Sequence, residues 1–185
     1  MGQLASKEQL RMSFLRWAVV TVPLILFLGF LSGRVSNSGY GNRWFDALIK
    51  PDWIPPGWVF GVVWSILYCL MGLSIAMILH ARGAKGRGAA IAFFAAQLVL
   101  NLAWSPLFFA AHQVTFALAI ILLILILAIT TAWLFRAIRP VAALLVLPYI
   151  LWLCVAAALN FEIHRLNPNA ETFIPEAPRT EIILE

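Results

Sequence analysis

Three short stretches of this 185-residue chain carry side chains that could recognise a ligand. In A-A-Q-L-V-L-N-L-A-W-S-P-L-F-F (95–109), a helix turning about 100° per residue puts Gln97, Asn101, Trp104 and Ser105 on one face. In P-Y-I-L-W-L-C-V-A-A-A-L-N (148–160), Tyr149, Trp152, Ala156 and Asn160 step by three or four residues and share a face too. In G-W-V-F-G-V-V-W-S-I-L-Y (57–68), Phe60, Trp64 and Tyr68 recur every fourth residue. Rings with an occasional amide suit a pocket that grips a flat apolar ligand by stacking and orients it by a few hydrogen bonds. The same residues also fit a packed aromatic core in which the amides only tie helices together, and spacing alone leaves both readings open.

Acid–base catalysis wants a positioned His, Asp, Glu or Lys, and the middles of these apolar stretches have none. Only Tyr68, Tyr149, Cys69 and Cys154 could titrate there, so no catalytic residue is assigned. His80, His112 and His164 lie at segment ends and the two cysteines lack metal-ligand spacing, so no metal site is assigned.

The elements that must position these faces follow from composition. The chain is 63% apolar and only 11% charged, with a mean hydropathy of +0.92, whereas a soluble domain carries about 25% charged residues. Five apolar segments stand out, at about 14–33, 57–79, 89–111, 113–135 and 140–162. Each reaches the roughly 20 residues that span a bilayer as a helix. They lack the two-residue alternation of barrel strands. The expectation is an all-α, five-helix transmembrane bundle over 17–166, after an N-terminal cytoplasmic arm (1–16) and before a polar, disordered tail (167–185). Clustered Lys and Arg with aromatics between them are missing, which excludes a nucleic-acid partner. The net charge of +5 instead suits anionic lipid headgroups.

Lys7, Arg11, Arg16, Arg82, Lys85, Arg87, Arg136 and Arg139 fall on one side of such a bundle, eight cations against five on the other (Arg34, Arg43, Lys50, Arg165 and Arg179). That bias places the N-terminus in the cytoplasm and the C-terminus outside. The opening M-G-Q-L-A-S matches a myristoylation pattern, which is short enough to be read as coincidence. Gly88, Ala92, Ala96 and Ala103 form a stripe of small residues that lets another helix approach, within the chain or in a second copy. A homodimer is expected. Trp17, Trp44, Trp58 and Trp133 suit anchors at the membrane interface.

The run W-F-D-A-L-I-K-P-D-W-I-P-P-G-W-V-F-G-V-V-W-S-I-L-Y (44–68) resembles the signature of the TspO/translocator protein family, once called the peripheral-type benzodiazepine receptors. So do Q-L-V-L-N-L-A-W-S-P-L-F-F, P-Y-I-L-W and A-L-N-F-E-I-H-R-L-N, in the family's order across about residues 17–168. The resemblance implies a five-helix membrane protein, often dimeric, that binds protoporphyrin IX and haem. In some members it also implies sterols and benzodiazepine-type ligands. It further implies a bacterial membrane protein linked to stress responses and tetrapyrrole control. The family's pocket positions fall on Trp53, Phe60, Trp64, Tyr68, Asn101, Trp104, Tyr149, Trp152, Ala156 and Asn160. Arg43 and Lys50, on the loop that carries Trp53, are candidate partners for porphyrin propionates.

Two departures stand out. Phe161 occupies the tyrosine position of the family's cholesterol motif, which puts sterol binding in doubt, and Asp52 stands where an aromatic residue is frequent. With no histidine in mid-bundle to ligate iron, metal-free porphyrin is expected to bind at least as well as haem. Porphyrin is a ligand here and no cofactor is required. Two other functions remain as alternatives, a light- and oxygen-dependent porphyrin-degrading enzyme and a small-molecule transporter or channel. Coupled ion transport is disfavoured by the lack of buried charge.

Overall fold

The computed structural model describes residues 7–175, which are helical with no strand among them. In chain order the elements are α1 (Lys7–Val35), a short α2 (Arg43–Ala47), α3 (Gly57–His80), α4 (Arg87–Ser105), α5 (Val114–Ile138) and α6 (Pro140–Leu166). A single π-helical stretch, Pro106–Ala110, prolongs α4. Five of these helices are long and apolar enough to cross a membrane, which makes the chain an integral multi-pass membrane protein. Helices are the natural choice because a lipid-exposed segment must satisfy its backbone groups internally.

Proline and arginine set several helix boundaries. Pro55 and Pro56 stiffen the approach to α3, and Pro140 opens α6, where a missing N–H costs nothing. The far end of α3 is closed by Arg87, whose guanidinium donates to the carbonyls of Ile78 (3.0 Å) and Leu79 (2.9 Å). Pro106 cannot donate to the carbonyl four residues back. That carbonyl, on Leu102, instead accepts a hydrogen bond from the Ser32 hydroxyl of α1, 2.5 Å away. The proline thus converts a backbone defect into a tie between two helices.

The five long helices close into a circuit in which α1 packs on α3, α3 on α6, α6 on α5 and α5 on α4, with α4 returning to α1 and α3. The α1–α3 approach is close. A Cβ at Gly72 would meet the Val22 backbone at 2.6 Å, and Gly29 leaves the space that the Tyr68 ring occupies. Thr21 adds a hydrogen bond from its hydroxyl to the Gly72 carbonyl, 2.8 Å. The main core lies between these helices and includes Met71, Ile124, Phe135 and Tyr149, all fully enclosed.

A second, smaller core forms at the end that carries the long loop after α1. Trp44, expected to anchor at the membrane interface, is instead only 2% exposed. Its ring stacks on His112 (centroids 4.3 Å apart), meets Phe108 edge-on, and donates its N–H to the Ala170 carbonyl at 2.9 Å. The physical reason is that the chain after α6 turns back over this loop and covers the ring. Trp58 and Trp133 remain outward-facing. Nor is the chain loose directly after residue 167. Asn167 exchanges two hydrogen bonds with the backbone of Ile49, and the Glu171 carboxylate accepts from the Thr115 N–H at 2.7 Å. The expectation of a disordered tail therefore fails for this stretch, while 176–185 and the myristoylation-like start lie outside the described residues.

Candidate ligand-binding face

The aromatic residues of α3 and α6 and the amides of α4 converge inside the bundle. The Tyr68 hydroxyl donates to Asn101 Oδ1 (3.1 Å) and the Tyr149 hydroxyl to Gln97 Oε1 (2.7 Å). Each amide is one helical turn from the other on α4, so a single face of that helix receives a phenol from each neighbour. Trp64 fills the space between the phenols, its centroid 5.2 Å from Tyr68 and 6.3 Å from Tyr149. One turn nearer the loop end, Phe60 meets Trp152 edge-on at 5.8 Å. Ala156 is partly buried and packs against the same core cluster.

Trp104 and Asn160 belong to a neighbouring arrangement around the first turn of α5. The Trp104 N–H donates to the Ala117 carbonyl (3.1 Å), and its ring stacks on Phe108 at 4.9 Å. The Asn160 amide, oriented to satisfy both its groups, donates to the Val114 carbonyl (3.2 Å) and accepts from the Leu118 N–H (3.3 Å). Both therefore have a structural occupation as helix ties. Trp53 sits on the loop above α3, 48% exposed. Ser105, the fourth residue of the α4 face, is only partly buried.

Lys50 is turned into its own loop. Its ammonium donates to the carbonyls of Asp46 and Leu48, both at 3.1 Å, and sits 4.6 Å from the Phe45 ring centroid. Burial lowers its pKa below the ordinary lysine value, with the nearby Asp46 charge opposing. Arg43 and His112 line a cavity of about 330 Å³ on the same end, with Asn37, Asn42, Trp44 and Pro175. Burial likewise holds the His112 imidazole below its usual pKa, against a hydrogen bond from its ring to the Phe109 backbone.

Chemically, the convergent face offers ring surfaces and few free polar groups. Both phenol protons are already committed to amide oxygens. The exception is the Trp152 indole N–H, which is buried and has no acceptor. A buried donor without a partner is uncommon in a folded protein and calls for an explanation. Among the described residues no three His, Cys, Asp or Glu gather as a metal cage. Gln97, which the spacing placed on this face but which was not among the expected ligand contacts, is as buried as its partner Tyr149. Its position one turn before Asn101 was the signal.

Comparison with known proteins gives a consistent result. A family model described as TspO/MBR family matches residues 19–166. The chain is 38% identical over 149 residues to a tryptophan-rich sensory protein of Cereibacter sphaeroides, covering 78% of this chain and 92% of that one. It is 38% identical over 150 residues to the translocator protein of Bos taurus, covering 80% and 89%. A tryptophan-rich protein TspO of Chlorobaculum tepidum is 36% identical over 148 residues, covering 80% and 93%.

Proposed function

Because the chain belongs to the TspO/MBR family, we propose that it is a membrane receptor or carrier that binds tetrapyrroles, protoporphyrin IX and haem among them, against the aromatic face of α3 and α6. The observation that carries this reading is the orphaned Trp152 N–H beside Phe60, on a face whose two phenols are both paired. A tetrapyrrole would supply both what this donor lacks and what the rings suit, an acceptor on a flat π-system. In the described state the rings occupy one another's space, so a ligand enters only as Phe60 and Trp152 part, with Trp53 on the loop above closing over it.

The same reading assigns Trp64 and Trp152 the stacking role and leaves Asn101 and Tyr68 to orient the ring. Asn160, Trp104 and Ala156 form the adjoining wall. Arg43 meets a propionate, and Lys50 does so after leaving its loop carbonyls. Sterol-like or benzodiazepine-type molecules are secondary ligands of the same face. The bilayer is a bacterial cell membrane, with the N-terminus in the cytoplasm. A role in tetrapyrrole homeostasis or stress signalling follows.

Porphyrin titration of the purified protein, read by quenching of tryptophan fluorescence, tests the site. Each stacked ring contributes about 0.5–1.5 kcal/mol beyond area burial, and 1.4 kcal/mol is tenfold in Kd. Trp64→Leu combined with Trp152→Leu is expected to weaken binding by roughly 10- to 100-fold once lost contact area is included. Metal-free protoporphyrin is expected to bind at least as tightly as haem. Undiminished binding by the double variant moves the site elsewhere, and a bis-histidine haem spectrum overturns the ligation argument.

A further inference from the structure

We propose that the bundle end carrying the N-terminus holds a defined site for the phosphate headgroup of an anionic phospholipid, built from Arg16, Trp17 and Arg82. A cavity of about 210 Å³ opens there, lined by Ser13, Arg16, Trp17, Val20 and Arg82. Arg16 comes from α1 and Arg82 from the turn after α3, so the direct packing of these two helices brings both guanidiniums to one opening. Paired guanidiniums match the oxygens of a phosphate better than any neutral group does.

The distribution of charge supports an outside anion. Asp46, Asp52, Glu162 and Glu171 all lie at the opposite end of the bundle. The one ion pair among the described residues, Arg165 with Glu162 at 2.7 Å, is there too. At the N-terminal end Arg87 is committed to the α3 carbonyls. Neither Arg16 nor Arg82 is in the one ion pair among the described side chains, and both guanidiniums line the cavity.

Lipid is favoured over free phosphate by what lies beneath the charges. Arg16 heads a helix face that continues through Val20, Leu24, Phe27 and Leu31, which are 56%, 50%, 62% and 44% exposed. These residues recur at three- and four-residue steps and so form one apolar track along α1. An acyl chain can lie on that track while its phosphate stays between the arginines. Trp17 supplies an amphipathic ring at headgroup level, the usual place for tryptophan in a membrane protein.

Native mass spectrometry of the full chain from detergent, with dioleoyl phosphatidylglycerol or dioleoyl phosphatidylcholine as the probe, tests the site. One phosphatidylglycerol per chain should be retained under conditions that strip phosphatidylcholine. Arg16→Gln with Arg82→Gln should weaken that retention by roughly tenfold or more per arginine, as expected for charge-assisted contacts. Arg16→Lys with Arg82→Lys should keep part of it, whereas Arg136→Gln with Arg139→Gln should leave it intact. Equal retention by the Arg16/Arg82 glutamine variant overturns the proposal. So does an equal loss in the Arg136/Arg139 variant, which would mean a diffuse field. Inorganic phosphate that displaces the lipid at equal concentration overturns the lipid assignment.

Discussion

At the scale of single residues, two phenol–amide pairs organise the interior. Tyr149 donates to Gln97 and Tyr68 to Asn101, and all four side chains are buried. Hydrogen bonds inside membrane proteins average ~0.6 kcal/mol and reach ~1.7 kcal/mol, because the unfolded chain in lipid finds other partners. Tyr149→Phe removes one proton donor, keeps the ring, and strands Gln97 Oε1. It should therefore destabilise the protein by about 1 kcal/mol, measured by denaturant unfolding in detergent. A loss above ~3 kcal/mol would mean that the phenol holds more than this one bond. The Trp152 N–H is a different case, since in the described state it has no bond to lose.

Among the elements, the loop after α1 and the chain after α6 act as one unit. Asn42 caps α2 through its side-chain oxygen and donates to the Phe109 carbonyl at 3.1 Å. Trp44 then carries the Ala170 carbonyl, and Asn167 pairs with Ile49. Glu171 completes the strap at the first turn of α5, where its negative charge also suits the helix dipole. The Thr115 backbone N–H, and secondarily its hydroxyl, hold the Glu171 carboxyl below the usual pKa. A lowered folded-state value means that the contribution is present above the unfolded value of about 4.3 and is lost as pH falls through the folded value. His112 works in the same direction. Its neutral form is favoured on folding, so its contribution is present above about 6.5 and is lost at lower pH. The protection factor of the Thr115 amide in hydrogen–deuterium exchange, its slowing relative to a free amide at the same pH, should thus fall as pH drops below the unfolded carboxylate value of about 4.3. Glu171→Gln should show faster exchange already at neutral pH; equal protection in that variant would sever the strap from the carboxylate.

At the scale of the whole molecule, the outward face of α4 is unusual in what it lacks. Gly88, Ala92 and Ala96 are exposed and Ala103 is half-buried, so most of the small-residue stripe points away from the chain's own core. Of the two uses open to such a stripe, close packing inside the chain is therefore served elsewhere, by Gly29 and Gly72 on the α1–α3 contact. We propose a second copy of the chain as the occupant of this stripe. Ala92→Leu with Ala96→Leu should leave a monomer in detergent crosslinking while the porphyrin titration stays unchanged. A dimer band of undiminished strength would count against this face.

How much of this was legible beforehand depends on the kind of interaction. Apolar run length alone determined five membrane helices, because hydrocarbon permits little else and the signal accumulates over some twenty residues. Helical spacing was enough to put Phe60, Trp64 and Tyr68 on one face, and Gln97 with Asn101 on another, since that periodicity is local geometry. Which phenol would meet which amide was not legible, being decided by the order in which α1, α3, α6, α5 and α4 close their circuit. The same holds for Trp44, an interface anchor by composition and a buried ring in fact. Its cover comes from Ala170, 126 residues away, and no local pattern announces a contact at that distance. The sequence by itself thus determined the helices and the faces they present. Only the tertiary structure decided which faces meet, which donor is left without an acceptor, and which arginines share one opening.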